Sequence, residues 1–309
     1  MMLWDGSPHR WFGPEQPACC LMAAIDDATG KVLALRFVPQ ECAWAYLKLL
    51  EQVILRWGVP GSVYQDRHTI HKRADDFWSL EEELAGRQDP TQVGAALEAL
   101  QITPIFAGSP QAKGRVERLF GTLQDRLVAL LERDGIGDIK AANAYVSNGF
   151  LDSYNELFAE SPAHLEQAWR KAPKQAELER LLSLCYRVTV GNDNAVRLGG
   201  MVIDISPGPK ARSYARQKVE VRQLLDGCWR VYFQGKAIAE APATEPVDLI
   251  RTKRRRKGVR GAYDAVWVNL ASAPLRPPSP PPADTRAAPP THTARRAGPG
   301  RGIGATRIA

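Results

Sequence analysis

A chain of 309 residues can hold two ordinary domains and bury at least one substantial core. It has no apolar run near the roughly eighteen residues of a membrane helix and no secretory pattern at its start, so a soluble, cytoplasmic protein is expected. The net charge of +7 is unevenly spread, with thirteen Lys and Arg against two Asp and Glu from residue 251 onward, nine against four over 185–236, and nineteen against twenty-five over 1–184. By composition, then, the middle and the tail attract polyanions, and the first segment does so only through local residues.

Asp5, in M-L-W-D-G-S, ends a short apolar run that reads as a strand. Cys19 to Asp26 and Val32 to Val38 are β-rich runs joined by Asp27-Ala28-Thr29-Gly30, which predicts a hairpin. From Glu41 to Trp57 apolar residues recur at 43, 46, 47, 50, 53, 54 and 57, the spacing of a helix that Gly58 and Pro60 end. Ser62 to Tyr64 is a short strand running into Asp66. After an acidic stretch, Lys72 to Pro90, come a helix over Thr91–Leu100 and a strand over Ile102–Phe106. Gly108-Ser109-Pro110 opens a long helix from about Lys113 to Arg133, whose apolar residues at 116, 119, 120, 123, 127, 130 and 131 form one stripe. Glu117 lies just off that stripe. A further helix is expected from Ile139 to Phe158, and a charged helical connector over 161–184.

From residue 185 the pattern changes to short β runs at Tyr186–Val190, Met201–Ile205, Lys218–Leu224, Trp229–Phe233 and Lys236–Ala239, separated by Gly and Asx turns. That spacing predicts a small antiparallel β-barrel over 185–250. The remainder, 251–309, holds the cluster Lys253-Arg254-Arg255-Arg256-Lys257 and a Pro-, Ala- and Arg-rich stretch that cannot bury enough apolar surface to fold, so a disordered tail is expected.

Five cysteines (Cys19, Cys20, Cys42, Cys185, Cys228) are an odd number without metal spacing, as for reduced thiols in a cytosolic protein. His68 and His71 form H-x-x-H, but no second ligand pair stands at finger spacing. His68 reads instead as a substrate or neighbouring contact of Asp66. Asp26 and Asp27 also end a strand and compete with Asp5, although their setting is a turn. Taken singly, Asp5, Asp66 and Glu117 are ordinary solvated carboxylates; their order is the informative feature, two at strand ends and one in the first turns of a helix.

Three stretches carry a resemblance to DDE transposases and retroviral integrases, most closely the insertion-sequence transposases grouped as ISNCY. They are Asp5-Gly6-Ser7-Pro8-His9-Arg10-Trp11-Phe12, Gly58-Val59-Pro60 through Val63-Tyr64-Gln65-Asp66-Arg67-His68, and Ser109-Pro110-Gln111-Ala112-Lys113-Gly114-Arg115-Val116-Glu117-Arg118. The resemblance covers about residues 3–160. It implies a ribonuclease-H-like α/β core over 1–160, a mixed sheet with flanking helices, in which Asp5, Asp66 and Glu117 are catalytic and bind two Mg²⁺ or Mn²⁺ ions for cutting and joining DNA. The spacing from Asp66 to Glu117 exceeds the roughly thirty-five residues common in that superfamily, and the stretch Lys72–Pro90 is where an inserted helix or loop is expected.

Beside the implied metal site, Lys113, Arg115 and Arg118 read as contacts to the DNA backbone, with His68 close by and Arg212 and Arg216 in the β module. Implied partners are double-stranded DNA, as transposon ends and target, and further copies of the chain in a homo-oligomer on that DNA near the nucleoid, with no membrane. Such transposases carry helix-turn-helix domains before the core. This chain begins four residues before Asp5, so an N-terminally truncated copy with a shortened first strand is expected. Two alternatives stay open: a nuclease of the same fold without strand transfer, and a non-catalytic remnant or DNA-binding regulator.

Overall fold

The computed structural model describes residues 1–73, 78–107, 114–163 and 168–245. Lys113, Asp75, Asp76 and the tail lie outside the described residues. Strands β1 (Met2–His9), β2 (Cys19–Asp26) and β3 (Val32–Val38) form an antiparallel meander, and β4 (Ser62–Gln65) and β5 (Thr103–Phe106) add in parallel beyond β1, giving the order β3-β2-β1-β4-β5. The β2–β3 hairpin turns where expected, because Asp26 Oδ2 accepts from Thr29 N (3.2 Å) and Thr29 Oγ1 (2.8 Å).

The sheet is covered on both faces, which is why Cys19–Ile25 can be apolar at every position. On one face, α1 (Ala43–Trp57), the short α2 (Leu80–Ala85) and α3 (Gln92–Ala99) follow one another; Tyr46, Leu50, Val53, Val93 and Leu97 pack there against Met2, Trp4 and Met22. On the other, α4 (Gly114–Arg133), α5 (Ile139–Tyr145) and α6 (Leu151–Phe158) pack against Leu3, Leu21, Ala23 and Leu35. Alternate β1 residues therefore serve opposite layers, as the two-residue strand period requires. Gly58, at φ +98°, closes α1 where any Cβ would stand 2.5 Å from Arg170 O, so that Val59 and Arg170 can exchange backbone hydrogen bonds of 2.8 and 2.9 Å.

The single helix expected over Ile139–Phe158 is broken. A π-turn occupies Val146–Phe150, with Gly149 at φ +117°. The cause lies in two asparagines that grip the edge strand. Asn143 exchanges hydrogen bonds with the backbone N–H and C=O of Phe37 (2.8 and 2.9 Å), and Asn155 does the same with Val32 (2.8 and 2.8 Å). Twelve residues of unbroken α-helix would leave the two side chains about 120° apart around the axis. The kink at Asn148 and Gly149, where the backbone leaves helical φ/ψ, lets both face β3.

Among the described residues of the connector expected to be helical over 161–184, the helix is α7 (Gln175–Leu181); before it, Arg170 is held extended by its pairing with Val59, and Pro173 follows. The antiparallel module consists of β6 (Leu184–Thr189), β7 (Ala195–Leu198), β8 (Met201–Asp204), β9 (Lys218–Gln223), β10 (Trp229–Phe233) and β11 (Lys236–Ala241). Its strands divide into a four-stranded sheet, β11-β10-β9-β6, and a β7–β8 hairpin. Strand β7, four residues between two turns, was too short to stand out in the sequence. The module's Tyr186, Val196, Val221 and Trp229 share one apolar core with α1 and α3.

Candidate active site

Asp5 is not at a frayed end. Its strand is paired with β2 along its whole length, Asp5 opposite Ala23, and with β4 at Met2↔Val63 and Leu3↔Tyr64. Continued two residues, that parallel register brings Asp5, in the middle of β1, level with Asp66, which directly follows β4. The end of β4 belongs to the carboxyl edge at which open α/β sheets bind their ligands. The neighbouring residues are tied: Trp4 Nε1 donates to Gln65 Oε1 (3.1 Å) in the buried layer beneath.

Asp66 Oδ1 accepts from His68 N (3.0 Å) and lies 3.8 Å from Nε2 of His71. His71 is buried, stacked on Trp4 at 5.7 Å and edge-on to Tyr46 at 4.4 Å. Tyr46 reports on the whole edge. Its hydroxyl donates to Glu41 Oε1 (2.6 Å), and burial, then Glu41, then Asp5 and Asp66 hold its phenol well above the ordinary range. Three carboxylates thus stand within electrostatic reach of one hydroxyl. Glu41 was not singled out from the sequence, having no motif to mark it. Gly6 makes room for it: a Cβ there would meet the Glu41 carboxylate at 3.1 Å and Cys20 Sγ at 3.0 Å.

Glu117 is exposed in the first turn of α4. That helix is fixed over the β1 face carrying Leu3, Asp5 and Ser7 by two contacts on either side of Glu117, Arg115 Nε to Asp27 Oδ1 (3.4 Å) and Gln124 Nε2 to Ser7 Oγ (3.1 Å). Gln124 stands two turns after Glu117, on nearly the same helix face. Even so, among the described residues no three His, Cys, Asp or Glu side chains stand together as a metal would require. As hard oxygen donors Asp5, Asp66 and Glu117 fit Mg²⁺ or Mn²⁺ in kind; the first two both act on Tyr46, and the third is on the facing helix.

Of the expected backbone contacts, Arg115 and Arg118 are exposed beside Glu117, the latter donating Nε to Gly114 O (3.0 Å). His68 is exposed, and its Nδ1 accepts from Ile70 N (3.4 Å). Arg212 and Arg216 are exposed in the β8–β9 connection, the first 5.7 Å over the Phe233 ring, the second donating to Asn192 Oδ1 (3.2 Å). Asp26 is used by its turn and Asp27 by Arg115. Burial pushes the Cys19 thiol up to about 11. Cys20 is pushed to about 12 by burial and then by Glu41, Cys19 and Asp5, so both are inert packing groups.

A five-stranded sheet in which β2 alone runs against the other four, with helices on both faces, is the ribonuclease-H-like arrangement, and that sets the class of protein. No protein-family model matches the chain. It is 36% identical over 237 residues to transposase y4bF of Sinorhizobium fredii, which spans 76% of this chain and 50% of that protein. It is 32% identical over 225 residues to the transposase for insertion sequence IS1202 of Streptococcus pneumoniae, 72% of this chain and 46% of that one. The chain spans about half the length of the curated relatives it matches. Among solved structures, the catalytic core domain of BIV integrase aligns at 21% identity and a TM-score of 0.32, over 58% of this chain and 94% of that one. The simian T-cell lymphotropic virus intasome, solved with PP2A regulatory subunit B56 gamma, aligns at 14% identity and a TM-score of 0.35, over 82% and 79%. Over the matched span, then, the similarity is to transposases.

Proposed function

We propose that this chain is the catalytic core of a DNA transposase, cutting and joining phosphodiester bonds, and that Asp5, Asp66 and Glu117 hold two Mg²⁺ or Mn²⁺ ions for that reaction. The observation that supports the reading is the β1–β4 parallel register, Met2↔Val63 and Leu3↔Tyr64, which continued two residues brings Asp5 level with Asp66, in a chain similar to transposases. Metals bound there would activate an attacking water or 3′-hydroxyl and stabilise the leaving oxygen.

The chain's own residues have distinct parts. The Trp4–Gln65 hydrogen bond fixes the spacing of the two strands that bear the aspartates. The His68 N–H and the buried His71 ring orient the Asp66 carboxylate. Arg115 and Arg118 supply cations beside Glu117, and Arg212 and Arg216 extend them on the β module. These contacts would hold duplex DNA by its phosphates without reading sequence. The substrate would be transposon ends and target DNA, engaged by a homo-oligomer.

The exposure of Glu117 favours a second reading, a non-catalytic DNA-binding relative that interferes with longer copies through mixed multimers. The test is a joining assay with precut ends and Mn²⁺, alongside calorimetric Mn²⁺ titration. Joining that Asp5→Asn, Asp66→Asn and Glu117→Gln each reduce by about 10³-fold or more, with weaker Mn²⁺ binding, supports the core. Cleavage without joining makes it a nuclease; no Mn²⁺ uptake at millimolar concentration leaves the regulator.

A further inference from the structure

Two apolar patches stand on opposite sides of the five-stranded sheet. The first is convex. Leu80 and Leu84, one turn apart on α2, are 68% and 82% exposed, and Trp78 before them is 39% exposed. A six-residue helix is not stable alone, and this one is anchored through its other side. The buried Glu82 accepts from Ser79 N (2.7 Å) and Asp89 N (2.8 Å) and pairs with Arg73, while Ser79 Oγ caps Glu82 N (3.2 Å). The fold thus fixes a helix that turns its leucines to water.

The second patch is concave, a cavity of about 730 Å³ between the C-terminal half of α4 and the kinked α5–α6 run. Its wall is a ladder of rings: Tyr145 to Phe150 at 5.9 Å, Phe150 to Tyr154 at 6.0 Å, and Tyr154 to Phe158 at 4.6 Å. Leu157 is 74% exposed at its rim. Two of the charged groups in the lining are paired with each other, Arg133 with Asp134 (2.7 Å), and Arg126 lies 5.1 Å over Phe158. The cavity thus offers apolar surface with a net cationic edge, Arg126 and Arg133 against Asp134. That suits a protein segment better than a small polar ligand.

We propose that α2 of one copy docks its Leu80–Leu84 face into the α4–α6 groove of a second copy. Three observations select this occupant. The knob is convex and the groove concave. Glu83 is exposed on α2, and Leu80–Leu84 contains no cation, opposite the Arg126 and Arg133 edge. And the residues beside α2, Ile70 and Val93, pack on the α1 face, while Ile136, Tyr145 and Phe150 pack on the α4 face, so a molecule cannot fill its own groove. The contact is head to tail, and each dimer leaves one knob and one groove available for growth or ring closure.

Sedimentation velocity on the full chain tests it, with Leu80→Glu/Leu84→Glu as the knob variant and Leu157→Glu as the groove variant. All three positions are solvent-exposed, and circular dichroism with a thermal melt verifies that each variant folds. Wild type should associate with rising concentration, and each variant alone should lose about ten- to a hundredfold in affinity per leucine. An equimolar mixture of the two variants should form dimers and stop there, since one sound knob meets one sound groove. A monomeric wild type up to its solubility limit overturns the proposal, as does either variant self-associating like wild type, or a mixture that fails to pair.

Discussion

Replacing Asn155 by alanine probes the device that sets the α5–α6 geometry. The side chain is 8% exposed and satisfies both the N–H and the C=O of Val32, itself fully buried, at 2.8 Å each. Alanine leaves both backbone groups without a partner in a site closed to water, at about 1–3 kcal/mol per group, so the loss should be roughly 2–5 kcal/mol. Asn143→Ala, at the partly buried Phe37 pair, should lose about 1–2 kcal/mol. Phe37 and Val32 are five residues apart on one strand, about 17 Å, so the double variant should be additive. Urea unfolding followed by tryptophan fluorescence measures this as a shift in midpoint at constant slope. A loss below about 0.5 kcal/mol for Asn155→Ala, the range of an ordinary surface change, would refute the reasoning, because solvent would then be replacing the amide without penalty. Freed backbone on this outer strand should also promote edge-to-edge association.

Two further predictions concern other parts of the chain. Hydrogen bonds from Ser79 N and Asp89 N, and Arg73, hold Glu82 down to about 2 from an ordinary 4.5, so its contribution is fully present above pH 4.5 and is lost as pH falls toward 2. Trp78 fluorescence and amide exchange in α2 should report loosening across that window, and Glu82→Gln should remove the pH dependence. Gly58→Ala should destabilise by about 1–3 kcal/mol, through positive φ and the clash with Arg170 O, and thermal unfolding measures it.

Much of the fold was legible because it is written in local periodicity. The β2–β3 hairpin, the α1 stripe and the α4 stripe follow from alternation of two and of 3.6 residues, and the turn residues Asp26–Gly30 and Gly58 mark their ends. The order of Asp5, Asp66 and Glu117 along those elements was equally visible. Other features had no local signature. Glu41 reaches Tyr46 from five residues away, but its place beside Gly6 of β1 is set by packing; Asn143 and Asn155 look like ordinary polar residues until β3 lies beside them; the break at Gly149 serves a partner strand more than a hundred residues away.

By itself, then, the amino-acid order determined which segments become strands and helices and which side of each is apolar. Tertiary structure alone decided which of those segments lie side by side. Asp5 comes level with Asp66 because β1 and β4 pair in one particular parallel register, and a one-residue slip would send their side chains to different layers. Periodicity is a property of neighbours along the chain, whereas register and helix placement are settled by packing between segments far apart in it.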